Sequence, residues 1–207
     1  MPRVRVHQHV NPLSPYYRQE PDPIIPDNVF GRPEQPLHLD IGCARGRFIL
    51  RMAEVEPHWN YLGVEIREPL VEEANRLAKA AGLDNLHYVF CNAMLWLGRL
   101  LEKLPPGNLR SVTIQFPDPW FKNKHAKRRM VNRELVDNLA KALPVGGKVF
   151  VQTDIEPLAE EMFRQFSLAN SFTEQSVELN PFPVKTEREL AVEAKGLPIY
   201  RAIFVRM

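Results

Sequence analysis

Residues 116–130 read FPDPWFKNKHAKRRM and bring three chemistries together in one stretch. Asp118, bracketed by Pro117 and Pro119, offers a carboxylate acceptor, and Trp120 beside it offers a stacking surface. From Phe121 to Arg133 there follow six Lys or Arg and no acid, in a chain whose formal net charge is +2. A basic run by itself is most often a solvated loop leading into a helix. An acceptor, an aromatic face and clustered cations in succession instead suit a nucleotide within a polyanion.

Further polar residues of this kind recur upstream and downstream. Asp40 opens D-I-G-C-A-R-G, in which Gly42 and Gly46 bracket a turn where backbone can approach a ligand closely. The dinucleotide frame G-x-G-x-x-G fails here, because Ala44 stands at its second glycine and Arg47 at its third. The acid-x-G-x-G-x-G frame of adenosylmethionine-dependent methyltransferases fits better, with Ala44 as the one departure. Glu65 would accept hydrogen bonds from both hydroxyls of a ribose, or else face solvent. Asn92 would meet an adenine edge. Asp154 opens a helix and would cap it, serve the site, or do both.

These residues matter only if the fold gathers them, and the apolar patterning says how. LHLDIG (37–42), YLGVEI (61–66), LHYVFC (86–91), SVTIQF (111–116) and KVFVQTD (148–154) read as buried strands. Between them lie amphipathic stretches with helical spacing, such as Phe48, Ile49, Met52 and Val55, or Leu70, Ala74, Leu77, Ala78 and Ala81. Pro69 and Gly82 punctuate the ends of the second of these helices. SFTEQSVEL and IYRAIFV (199–205) read as two closing strands, with Thr186 and Glu189 in an irregular loop between them. Strand–helix alternation over 37–168 predicts a parallel sheet covered on both faces. Ligands of such sheets sit at the carboxyl ends of the strands, where Asp40, Glu65, Asn92, Asp118 and Asp154 all fall.

Composition sets the outer bounds. The 207 residues, 44% apolar and 25% charged, suit one globular domain. Residues 1–36 hold eight prolines and predict an extended basic arm outside the core, leaving 37–207 as the folded domain. MPRVRVHQHV lacks the apolar core of a signal peptide, and no apolar run reaches the ~18 residues of a membrane span. A cytoplasmic protein is expected. Cys43 and Cys91 lack metal-type spacing, and His7 and His9 sit in the arm, so no metal is expected.

With these residues together, the chain resembles the tRNA (guanine-N7)-methyltransferases, the TrmB family, over most of 37–206. The FPDPWFKNKHAKRR block carries the resemblance, supported by TEREL (186–190) where the family has T-x-x-E, and by GLPIYRAIF (196–204). The resemblance implies an α/β, Rossmann-like class I methyltransferase fold, with a mostly parallel seven-stranded sheet and helices on both faces. It implies S-adenosylmethionine as cofactor, contacted by Asp40, Gly42, Gly46, Glu65, Asn92 and Asp118, with Asp118 as the catalytic residue. It implies that Lys122, Asp154, Thr186, Glu187, Arg188 and Glu189 hold the substrate guanosine. It further implies that Lys124, His125, Lys127, Arg128 and Arg129 meet the tRNA backbone. Asp40 replaces a more usual glutamate, and Arg188 stands where the family more often has an aromatic.

The implied reaction forms 7-methylguanosine at guanine 46 of the variable loop. That nitrogen carries a free lone pair and no proton, so alignment and charge stabilisation are what a protein must supply. Methylation of another RNA or protein nitrogen, or RNA binding without catalysis on the same fold, are the alternatives. The partner is tRNA, without metal or membrane, for a monomer or homodimer.

Overall fold

The computed structural model describes residues 10–120 and 127–207. Seven strands form one sheet: β1 (Leu37–Ile41), β2 (Asn60–Glu65), β3 (Leu86–Phe90), β4 (Leu109–Gln115), β5 (Lys148–Thr153), β6 (Phe172–Ser176) and β7 (Tyr200–Arg206). Their order is β3-β2-β1-β4-β5-β7-β6, with β7 antiparallel to both neighbours and the remaining pairs parallel. The chain runs outward from β1 to β3 and then returns to lay β4 on the other side of β1. That reversal leaves a crevice at the carboxyl ends of β1 and β4, the usual ligand position in open sheets.

The helices are α1 (Pro26–Val29), α2 (Arg47–Val55), α3 (Glu68–Ala80), α4 (Ala93–Glu102), α5 (Arg133–Ala142), α6 (Glu156–Ser167) and α7 (Glu187–Glu193). Each strand–helix junction has a local cause. Pro69 lies in the first turn of α3, and Gly82 follows its end at φ +69°, where Leu83 N–H closes back on the Ala78 carbonyl at 3.1 Å. Asn132 caps α5 by accepting from Leu135 N at 3.0 Å. Among the described residues no helix is long and apolar enough to cross a membrane.

The two faces of the sheet differ in chemistry. One face presents Leu39, Ile41, Val112, Ile114, Val149 and Val151, all buried against α4, α5 and α6 residues such as Leu97, Leu139 and Phe166. Burying each such side chain stabilises the fold by about 1.5–3 kcal/mol. Alternate positions on the other face read His38, Asp40, Thr113, Gln115, Phe150, Gln152 and Arg201. There the aromatic rings of Phe48, Tyr61 and Phe182 surround His38. The carboxyl half of this second face is polar though deeply buried.

Two expectations change. Thr186 and Glu189 are not in an irregular loop: Glu187–Glu193 is helical, and Thr186 caps it by accepting from Glu189 N at 3.1 Å. T-x-x-E is itself a helix-start signature, which explains the helix. The described part of the proline-rich segment is also not excluded from the core. Ile24 and Phe30 are buried in the main cluster, and the Tyr17 carbonyl of a short 3-10 turn, Pro15–Arg18, accepts from Asn92 just past the end of β3.

Candidate active site

The glycine turn forms the floor of the crevice. Gly42, Ala44 and Gly46 all have left-handed backbone, at φ +76°, +52° and +68°. A Cβ on Gly46 would fall 2.2 Å from the Tyr88 ring, and Tyr88 Oη donates to the Gly46 carbonyl at 2.7 Å. Among the described residues the nearest atom to a Cβ on Gly42 is Met130 Cε, at 3.9 Å. Ala44 holds the same backbone sense at a position where glycine is the easier residue. Its N–H is fixed by Glu65 Oε2 at 2.9 Å.

Glu65 is buried, and its carboxylate is fully engaged. Oε1 accepts from Arg67 N at 3.0 Å and from Arg67 Nε at 2.8 Å, while Oε2 accepts from Arg67 Nη2 at 3.0 Å. Burial disfavours a charged Arg67, but the bonds to Glu65 and its charge outweigh this, with Asp118 adding to the effect. Asp118 therefore belongs electrostatically to the same cluster.

Strain holds Asp118 in place. Phe116 and Trp120, on either side of Pro-Asp-Pro, have φ of +50° and +42°. Bulky residues rarely adopt this conformation, which costs about 1–3 kcal/mol each and persists only where surroundings enforce it. The enforcing contacts are visible. Phe116 N donates to the Gln152 carbonyl at 2.8 Å, and Arg129 donates to the Pro119 carbonyl at 3.2 Å and the Trp120 carbonyl at 3.3 Å. Arg129 also pairs with Glu161 of α6. Arg129, expected to meet a tRNA phosphate, thus has its guanidinium on the turn and on α6. Arg128 lies over the Trp120 ring, 4.9 Å from its centroid, and Lys127 is exposed. Lys122, Lys124 and His125 lie outside the described residues.

Asp40 is buried, and its Oδ1 accepts from Thr113 Oγ1 at 2.6 Å. Thr113 Oγ1 also lies 3.0 Å from His38 Nε2. With the threonine proton committed to the carboxylate, His38 is the donor to Thr113, which fixes its tautomer. Burial pushes the Asp40 carboxyl up to about 6, offset by bonds from Thr113 and Gln115 and reinforced by the charge of Glu65. Burial pushes His38 down to about 3, so it stays neutral.

Beyond Asp40 the polar row continues. Gln152 Nε2 donates to Gln115 Oε1 at 2.8 Å and to Glu189 Oε2 at 3.1 Å, while Gln152 Oε1 accepts from Arg201 Nε at 3.1 Å. Glu189 also accepts from Asn180 at 2.7 Å and from Arg201 Nη2 at 3.0 Å. Glu189 has no exposed surface. Through these bonds Glu189, expected to hold guanosine, anchors α7 to the sheet. Asn92 is likewise occupied: its amide donates to the Pro12 carbonyl at 2.8 Å and the Tyr17 carbonyl at 3.2 Å, and its oxygen caps α4. These bonds pin the N-terminal segment over the strand ends.

On the outer side, Asp154 at the end of β5 pairs with Arg188, and Glu187 pairs with Arg47. Asp154 does not cap α6; Thr153 Oγ1 accepts from Ile155 N there, at 3.3 Å. The structure thus gathers Asp40, Gly42, Gly46, Glu65 and Asp118 around one crevice, with Asp154, Thr186 and Arg188 along its rim. His38, Thr113, Gln115, Gln152, Arg201 and Arg67 were missed from sequence. The available signal was polar residues at period two inside otherwise apolar strands. Among the described residues no three His, Cys, Asp or Glu side chains cluster as a metal site would require.

A family described as "Putative methyltransferase" matches residues 34–202. The tRNA (guanine-N(7)-)-methyltransferase of Trichormus variabilis is 54% identical over 211 residues, covering 100% of this chain and 98% of the relative. This chain belongs to the tRNA (guanine-N7)-methyltransferase family. Solved structures support the fold independently. An aminoglycoside resistance methyltransferase superposes with a TM-score of 0.55 at 18% identity, over 88% of this chain and 90% of its own. A Haemonchus contortus phosphoethanolamine N-methyltransferase, solved with S-adenosyl-L-methionine, gives 0.56 at 12% identity, over 83% of this chain and 49% of its own. The fold is that of the class I methyltransferases. The residues present fit the cofactor that the family implies: a left-handed glycine turn at the end of β1 and two buried strand-end carboxylates, Asp40 and Glu65.

Proposed function

We propose that the protein methylates N7 of guanine 46 in the variable loop of tRNA, using S-adenosylmethionine, in the cytoplasm. The observation carrying this reading is the Phe116–Trp120 turn, whose enforced backbone places Asp118 beside the Glu65–Arg67 pair and leads directly into the basic segment. When bound, S-adenosylmethionine supplies a methyl group on a positively charged sulfur; the N7–C bond forms as the S–C bond breaks, and the charge passes to the purine. No proton has to be removed first. The protein's part is to align and to stabilise the incoming charge.

Asp40 and Glu65 hold the two ends of the cofactor, its ammonium and its ribose. All four acceptor positions of Glu65 carry donors, so the ribose hydroxyls take the places of the Arg67 guanidinium. Asp118 and Asp154 accept from the N1–H and amino group of guanine, which selects guanine over adenine, and their charge favours the developing purine cation. Lys122 lies beside the base in this reading, and Thr186, which accepts from Glu189 N, still has its hydroxyl proton to donate. Lys124, His125, Lys127 and Arg128 meet the tRNA backbone. Methyl-labelled cofactor incubated with bulk tRNA, followed by nucleoside mapping, tests this. Label in 7-methylguanosine at position 46 is the expected result; label in another nucleoside, or none, overturns it.

A further inference from the structure

Two carboxylates at the crevice carry an arginine. On Glu65 it is Arg67, two residues on, and on Asp154 it is Arg188, from the first turn of α7. The second pair joins residues 34 apart in sequence, and its members differ in exposure. The Asp154 side chain is 12% exposed, that of Arg188 56%. The carboxylate stays where β5 ends, and the guanidinium on its long stem is the member able to leave.

Holding α7 in place does not require this pair. Its buried Glu189 is bonded to Gln152 on β5, Arg201 on β7 and Asn180, and Thr186 caps its first turn. An ion pair with one member more than half exposed adds little to stability.

The chemistry of the two groups gives the pair another use. A guanidinium presents parallel N–H donors from a planar N–C–N unit. The N1–H and amino group of guanine present the same pattern along the edge of the base. Phe116 N, bonded to the Gln152 carbonyl at 2.8 Å, sets the ends of β4 and β5 side by side, and Asp118 and Asp154 each follow by two residues. One of the two carboxylates assigned to guanine is thus occupied by a group that mimics its donor edge. A guanidinium released from a carboxylate matches phosphate equally well, and tRNA brings both the base and the phosphates.

We propose that Arg188 is a placeholder for guanine: it neutralises Asp154 in the free protein, yields the carboxylate to the base, and passes to a phosphate of the tRNA. This rests on the assignment of Asp154 to the guanine edge. The exchange favours a guanine that arrives with its backbone phosphates over a free nucleoside, so Arg188 is a specificity-determining residue.

Free guanosine must displace Arg188 and offers it no phosphate. Arg188→Ala should therefore lower the Ki of guanosine against tRNA methylation about two- to fivefold, as expected for an exposed pair. For tRNA the same variant loses a phosphate contact, and the slope of log affinity against log salt should fall by about 0.7–0.9. Arg188→Lys keeps the charge and should keep the wild-type slope. The melting temperature should hold in both variants. A guanosine Ki unchanged or raised in Arg188→Ala, an unchanged slope, or guanosine that inhibits neither protein would overturn the exchange. So would a lowered melting temperature with weaker binding of both guanosine and tRNA, which is what a purely structural pair predicts. Asp154→Asn separates these results from failure of the underlying assignment. It should raise the KM for tRNA, and a wild-type KM would mean that guanine does not sit on Asp154.

Discussion

If Asp40 takes the cofactor's ammonium, as proposed, it should set a pH window for binding whose size follows from its surroundings. Burial holds its carboxyl at about 6 against an ordinary value of 3.8, with Thr113 and Gln115 pulling down and Glu65 pushing up. The neighbouring base does not compensate, because His38 is neutral above about pH 3. A folded-state pKa above the unfolded one means that the contribution to stability is fully present below about pH 4. It is lost as pH rises through about 6, to an extent of roughly 3 kcal/mol. The ionised carboxylate is thus poorly solvated in the empty protein, and an ammonium brought to it relieves that. At pH 5 about one molecule in ten is ionised, so affinity for S-adenosylhomocysteine should fall about tenfold between pH 7 and pH 5. Each binding event at pH 5 should release close to one proton. Calorimetry in buffers of different ionisation enthalpy reads both quantities. Thr113→Val removes a bond that favours the charged form and should move the midpoint upward. Asp40→Asn should bind weakly at every pH. Wild-type affinity that stays constant from pH 5 to 7, with no proton release, would refute the placement of the ammonium on Asp40.

Asp118→Asn, which keeps the shape of the turn and removes its charge, should lower kcat about a hundredfold or more while the melting temperature holds; near-normal turnover would exclude the charge from the reaction. Lys127→Ala and Arg128→Ala should each reduce the slope of log affinity for tRNA against log salt by about 0.7–0.9. Arg129→Ala should leave that slope alone and instead lower the melting temperature and kcat, because Arg129 holds the Pro119 and Trp120 carbonyls and Glu161. A reduced slope for Arg129→Ala would return it to the tRNA interface. Glu189→Gln breaks a pair with Arg201 that is almost wholly buried, at 0% and 7% side-chain exposure, and should destabilise by about 3–5 kcal/mol. Thermal unfolding checks this, and an unchanged melting temperature with lost guanosine binding would make Glu189 a substrate contact after all.

What the sequence made legible follows from what spacing encodes. Alternating apolar runs located all seven strands, because strand burial leaves a one-dimensional trace, and the strand ends located Asp40, Glu65 and Asp118. Direction and partner leave no such trace. Asn92 and Glu189 stand at positions suited to a ligand, yet each has partners distant in sequence: Asn92 has carbonyls 75 and 80 residues away, and Glu189, on α7, has Arg201 and Gln152 on two strands. Arg129 and Arg128 are adjacent in a uniformly basic run, yet the first clamps a strained turn and the second stacks on Trp120. Charge density identified the segment as a unit; only the positive φ at Phe116 and Trp120 shows that part of that charge must hold the turn. T-x-x-E illustrates the same ambiguity at a single motif, since a capping threonine and a buried glutamate satisfy it as fully as a substrate contact would. The row from Asp40 to Arg201 crosses β1, β4, β5 and β7, and no local window of sequence contains more than two of its members. Yet each member is a polar residue at an alternate position in an apolar strand, which is costly unless satisfied. Such residues ask where their partners are, and the sheet order answers: Thr113 and Gln115 for Asp40, Gln152 for Gln115, and Arg201 for Glu189.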